Sequence, residues 1–223
     1  MSTPSVRATL GRISWVQRAL AVGLALAVAW SYWHPSGLEE RILKDTLLYV
    51  AIPGALAAAH GRKLGWRVDR TALRNTVLLA AFVTPFYVVG SSLPSVRAFY
   101  PMWSGSLDNF WMHSLKQFAV VVAAETYYRG LLCVGVRELG RKAAFISPVI
   151  YAVHHVGKPP IELLLSGPTD VLFGLVDYES NSILPSVVAH GVGLALLDWL
   201  VLHDPLIPTA TVLRWLRWLP LPL

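Results

Sequence analysis

Cysteine is almost absent from this chain: Cys133 is the single one in 223 residues. It has no partner for an intrachain disulfide and stands in no CxxC motif, which excludes both a disulfide scaffold and a thiolate zinc site. That leaves Cys133 either facing lipid or filling the core. Charge is sparse too, with Asp, Glu, Lys and Arg together making up 14% of residues, against about a quarter in ordinary soluble domains. The chain is instead 55% hydrophobic, with nine tryptophans and a mean hydropathy of +0.52. A polytopic membrane protein is expected, with lipid for most of its solvent. No internal repeat, low-complexity tract or long linker divides the sequence, so a single integral-membrane domain over 1–223 is expected.

A span takes about 20 mainly apolar residues. Stretches near 13–33, 43–59, 72–90, 110–136, 143–157, 162–178 and 183–202 qualify, and 208–219 is a short eighth. The fold class that follows is all-α, a membrane helical bundle of about seven or eight transmembrane helices. Arg214 and Arg217 beside Trp215 and Trp218 suit an interfacial amphipathic helix at least as well as a span. The N-terminal stretch has basic residues before an apolar run, as a signal peptide does. The run is long and lacks a small-residue cleavage site, so it reads as a retained first helix.

Net charge is +6, but the basic residues lie in short segments between apolar stretches, where they set topology instead of binding nucleic acid. Arg7 and Arg12, then Arg62, Lys63, Arg67, Arg70 and Arg74, then Arg137, Arg141 and Lys142 fall on one side. The positive-inside rule makes that side cytoplasmic, with the N-terminus. The longest connection, 91–109, then lies outside; it carries Pro94, Pro101, Trp103 and Gly105.

Against this apolar background a few polar side chains stand out. Glu125 and Arg129 are four residues apart within 110–136. That spacing places both on one helix face, where they can pair. A charge near the bilayer centre costs about 2.5–3.5 kcal/mol on insertion scales, so such residues face protein or water and mark function. The structural alternative is an ion pair tying helix to helix. His154 and His155, and then His190, follow in later apolar segments. Each alone reads as a hydrogen bond between helices. A carboxylate with two imidazoles from separate spans is also a set that can activate water and stabilise an oxyanion. His113, Lys116 and Gln117, earlier on the same helix as Glu125, mark its outer interfacial end or line a polar path.

In order and spacing the chain resembles the CAAX protease and bacteriocin-processing (CPBP, or Abi) intramembrane endopeptidases. Their Glu-Glu-x-x-x-Arg motif corresponds to Ala124-Glu125-Thr126-Tyr127-Tyr128-Arg129, followed by Gly130. Phe-x-x-x-His corresponds to Tyr151 through His155, and the last His motif begins at His190. The resemblance covers about 110–200. The first glutamate of the family pair is Ala124 here, and the polar residue four after the last histidine is Leu194. Tyr127 and Tyr128 are expected to pack, and Asp198, two turns from His190, is too far along the helix to replace the missing donor.

The resemblance implies peptide hydrolysis on a membrane-anchored peptide or protein substrate. Glu125 with His155 would deprotonate the attacking water, His190 would stabilise the oxyanion, and Arg129 would hold Glu125. His154 is the second choice for the His155 role. The family has been described as glutamic-type and as metal-dependent. The metal-free form is favoured here, with no cofactor; zinc held by Glu125, His155 and His190 is the alternative. A short chain with tight connections suits a bacterial member in the inner membrane, with lipid as its surroundings. The competing reading is a catalytically impaired relative acting as a membrane scaffold, immunity factor or binding protein, favoured by Ala124 and Leu194. A small transporter is a third reading, but no symmetry between halves supports it.

Overall fold

The computed structural model describes residues 13–102 and 107–223, so Arg7, Arg12, Trp103 and Gly105 lie outside the described residues. Among the described residues the elements are helical and no strand occurs. The all-α expectation is met.

Helix α1, Trp15–Tyr32, opens on a capping box in which the Ser14 hydroxyl accepts from the Gln17 N–H and the Gln17 side chain accepts from the Ser14 N–H. Helix α2, Leu38–Ala59, contains a π-helical turn at Thr46–Ala51. Asp69 caps α3, Arg70–Gly90, by accepting from the Ala72 N–H at 2.9 Å. That hydrogen bond, with Arg67 nearby, holds the Asp69 carboxyl below its ordinary range. The short α4, Pro94–Phe99, leads to α5, Phe110–Glu125. Beyond α5 the chain continues through a π turn, Thr126–Leu131, then bends by 78° into a tighter helical segment, Val134–Phe145. Four helices follow: α6 (Pro148–His154), α7 (Pro160–Ser180), α8 (Leu184–Val201) and α9 (Thr209–Leu216).

By length and composition α2, α3 and α8 suffice to cross a membrane, and the bent pair Leu107–Leu131 and Val134–Phe145 makes a fourth if it counts as one span. The stretches 143–157 and 208–219 do not hold spanning helices. Helices of seven and eight residues rise only about 10–12 Å, against a hydrocarbon core of about 30 Å. Punctuation confines α6: Pro148 begins it, and Gly157, at φ 91°, and Pro159 stop it. Helix α7 has 21 residues but carries Glu162, Asp170, Asp177 and Glu179.

The largest buried cluster joins α1, α2 and the bent region, with Trp15, Leu26, Tyr49, Tyr127 and Leu131 among its members. Cys133 belongs to it and is core filler. The two π turns meet there, Tyr49 of one stacking on Tyr127 of the other at 4.3 Å between centroids. Helices α3 and α8 share the most extensive helix contact. Its closeness depends on small residues, since a Cβ at Gly193 would fall 2.1 Å from the Tyr87 ring. A second cluster, including Leu93, Tyr100, Leu197 and Val212, fixes α4 and α9 against α8. Arg97 donates to the carbonyls of Val201 and His203, closing the C-terminal end of α8.

Candidate active site

Glu125 is the last residue of α5 and Arg129 lies in the π turn that follows; both are fully buried. Single π turns inside α-helices recur at functional sites because they re-aim side chains without ending the helix. Arg129 Nε lies 3.2 Å from Glu125 Oε2, an ion pair whose alignment falls short of a hydrogen bond. The guanidinium spends its Nη1 on a second carboxylate, Asp170 of α7. The other oxygen of Asp170 accepts from the Ser147 hydroxyl. Rings of Tyr128, Tyr151 and Phe173 surround the guanidinium at 5.4–5.9 Å.

From α8, His190 brings Nδ1 to 2.7 Å from Glu125 Oε1. One turn earlier, the backbone N–H and hydroxyl of Ser186 donate to Asp177 of α7. A buried charge is tolerated only when paired and hydrogen-bonded, and here one guanidinium serves two carboxylates while an imidazole takes the free oxygen of the first. The Glu125 side chain has no exposure, whereas that of His190 retains 23%. The imidazole is therefore the part of the pair that reaches outward.

His155 stands apart from this contact. Its Nδ1 lies 2.8 Å from the Tyr151 carbonyl and its Nε2 lies 3.7 Å from Glu162. Glu162 accepts from the Tyr100 hydroxyl and from Lys158 at 2.9 Å. Burial, reinforced by the Glu162 carboxylate, pushes the Tyr100 phenol well above its ordinary range, so it remains a donor. His154 points elsewhere again, stacking on Trp30 at 4.3 Å and bonding the Tyr128 hydroxyl. Tyr127 donates to the Gly23 carbonyl and its ring meets that of Tyr128 at 4.8 Å between centroids, so both tyrosines pack.

Ala124 packs against the large α1–α2 cluster, away from His190, while Leu194 lies in the apolar cluster of α4, α8 and α9. His113 and Asp198 pair at 3.1 Å farther along the α5–α8 seam, and Gln117 is buried near them on the same helix. Lys116 instead reaches the more exposed Glu39.

Asp170, Ser147, Asp177 and Ser186 were not singled out by sequence. A signal was present: Asp170 and Asp177 are seven residues apart, two turns along one face of an otherwise apolar stretch. As for metal, among the described residues no group of three or more His, Cys, Asp or Glu side chains is placed to hold an ion. The open oxygen of Glu125 faces a guanidinium, which disfavours a second cation there.

With this geometry in place, residues 106–195 match the family described as Type II CAAX prenyl endopeptidase Rce1-like. The segment is similar to the CAAX protease family over that range. The match spans α5, the π turn, α6, α7 and the first two-thirds of α8, and it contains Glu125, Arg129, His155, Asp170 and His190. It points to an intramembrane protease acting on membrane-anchored peptide substrates, in agreement with the order of the three motifs. No curated protein and no solved structure matches the chain.

Proposed function

We propose that this protein is an intramembrane endopeptidase in which the Glu125–His190 pair activates water. The observation that carries the reading is the 2.7 Å contact between Glu125 Oε1 and His190 Nδ1 at the end of a helix. With Nδ1 donating to the carboxylate, Nε2 keeps its lone pair on the exposed edge of the ring. Water attacks the scissile carbonyl carbon while its proton passes to Nε2; the imidazolium then returns the proton to the leaving amine as the C–N bond breaks. Glu125 orients the ring and balances its charge, and Arg129 supplies the positive charge that a buried carboxylate needs. His155, the histidine left free of Glu125, is the donor toward the tetrahedral oxyanion. The two histidines thus exchange the roles expected from sequence, because Glu125 reaches His190 and not His155.

The donor set supports a metal-free mechanism, with Glu125, Arg129, His155 and His190 as site residues and no cofactor. The reading extends to a single membrane domain over 1–223 in a bacterial inner membrane, with the N-terminus and basic loops cytoplasmic. One observation favours a second reading, an impaired relative serving as scaffold, immunity factor or binding protein. Leu194 is committed to an apolar cluster and offers no donor.

The deciding experiment is cleavage of membrane-anchored peptide substrates by the protein in nanodiscs, for wild type, Glu125→Gln and His190→Ala, with and without chelator. Cleavage lost in both variants and indifferent to chelator is the expected result. Chelator sensitivity would move these residues into metal-ligand roles, and inert wild type over a broad panel would leave the scaffold reading.

A further inference from the structure

The connection between α2 and α3 carries Arg62, Lys63 and Arg67, and the positive-inside rule accounts for their charge without asking for any shape. Yet these residues wall a cleft of about 430 Å³, completed by Arg137, Glu138 and the α7–α8 turn at Asn181. Four cations line the cleft with Glu138, and Asp69 stands beside Arg67, so the hollow keeps a positive excess. Arg62 pairs with Glu138, Arg67 with Asp69, and Arg137 donates to the Tyr178 carbonyl. Lys63 makes no ion pair among the described residues and lies exposed at the rim.

The walls are fixed. The Ile183 N–H donates to the Gly65 carbonyl at 2.9 Å and the Ser182 hydroxyl donates to the Arg67 carbonyl, tying the loop to the α7–α8 turn. Gly65 holds φ +76°, and a Cβ there would crowd Ile183 and Val134 at 3.1 Å, so the tight path requires glycine. A loop needed only for its charge would have no use for such anchoring. Both flanking helices are long and apolar enough to cross a membrane, which places the cleft where spans leave the bilayer. Beside the cations, Trp66 and Val68 are 55% and 69% exposed, an apolar rim next to a basic hollow.

We propose that this cleft binds the phosphodiester headgroup of an anionic phospholipid, with Trp66 and Val68 against the upper acyl chain. Basic pockets between membrane helices on the cytoplasmic side select anionic headgroups, and tryptophan settles at the same depth. The bound lipid would brace the loop whose Leu64 carbonyl abuts Gly130, the residue after Arg129. The site is independent of whether Glu125 and His190 catalyse.

The test is native mass spectrometry of the full chain released from micelles holding equal phosphatidylglycerol and phosphatidylcholine. Wild type is expected to retain phosphatidylglycerol with a preference of about tenfold. Arg62→Gln with Lys63→Gln should abolish most of that preference, while Arg214→Gln with Arg217→Gln, which removes equal charge elsewhere, should leave it intact. Equal losses in both double variants would overturn the site in favour of diffuse attraction. Displacement of the lipid by millimolar inorganic phosphate would overturn the lipid as ligand, and no preference in wild type would overturn the proposal outright.

Discussion

His190 Nδ1 sits 2.7 Å from Glu125 Oε1 across a sequence separation of 65 residues, joining the C-terminal end of α5 to the second turn of α8. Around it, Arg129 binds both Glu125 and Asp170. Three helices thus meet on one buried network, and its charge balance makes specific demands on each member.

If Glu125 and His190 act as a unit, their effects are not additive. Glu125→Gln and His190→Ala are each expected to lower peptide hydrolysis by about 10²–10⁴-fold. The double variant should lose little more than either single one. Initial rates on a membrane-anchored peptide provide the check; multiplicative losses would show that the two residues contribute separately.

Asp170 is fully buried and holds Arg129. Asp170→Ala leaves a buried guanidinium with one partner too few and should destabilise the protein by about 3–5 kcal/mol. Thermal melts in detergent should fall clearly, and Asp170→Ala combined with Arg129→Leu should recover part of the loss. An unchanged melt for Asp170→Ala would contradict the network.

Gly130 permits a close backbone approach. A Cβ there would lie 2.9 Å from the Leu64 carbonyl oxygen and 3.3 Å from the Leu64 Cβ. Backbone has little room to yield, so Gly130→Ala should cost about 1–3 kcal/mol and shift Arg129 enough to reduce activity. A melt and a rate measured on the same preparation check both parts.

Asp69 titrates outside the spans. Its folded pKa is lowered by the Ala72 N–H and Arg67, so the ionised cap contributes stability above the ordinary aspartate pKa and loses it as pH falls through that value toward the lowered one. Asp69→Asn keeps a side-chain acceptor but not the charge. Wild type and variant should therefore differ most near neutral pH and converge in acid, as followed by the melting temperature against pH.

Much of the site was legible because intramembrane charges are few. Glu125, Arg129, His155 and His190 stood out as polar residues in apolar stretches, and the spacing of four between Glu125 and Arg129 gives the observed ion pair. Asp170 carries the same signal, a charge in an apolar stretch, but lies outside the three motifs, and its pairing with Arg129 across 41 residues is not a local property of sequence. The span at 143–157 misled because hydropathy does not register that Pro148, Gly157 and Pro159 leave room for only two turns of helix.

Composition and periodicity by themselves determined the helical class, the apolar solvent and the short set of polar residues that must find partners, since these follow from local transfer energies and from 3.6 residues per turn. Only the tertiary structure decided which partners they find. Position 124 turns to the α1–α2 core while 125 turns to α8. His190, not His155, meets the carboxylate, and Asp170 completes the pairing of Arg129. Those choices depend on a π turn that shifts the helix face and on how closely glycines let helices approach, and neither is a property of any local stretch of sequence.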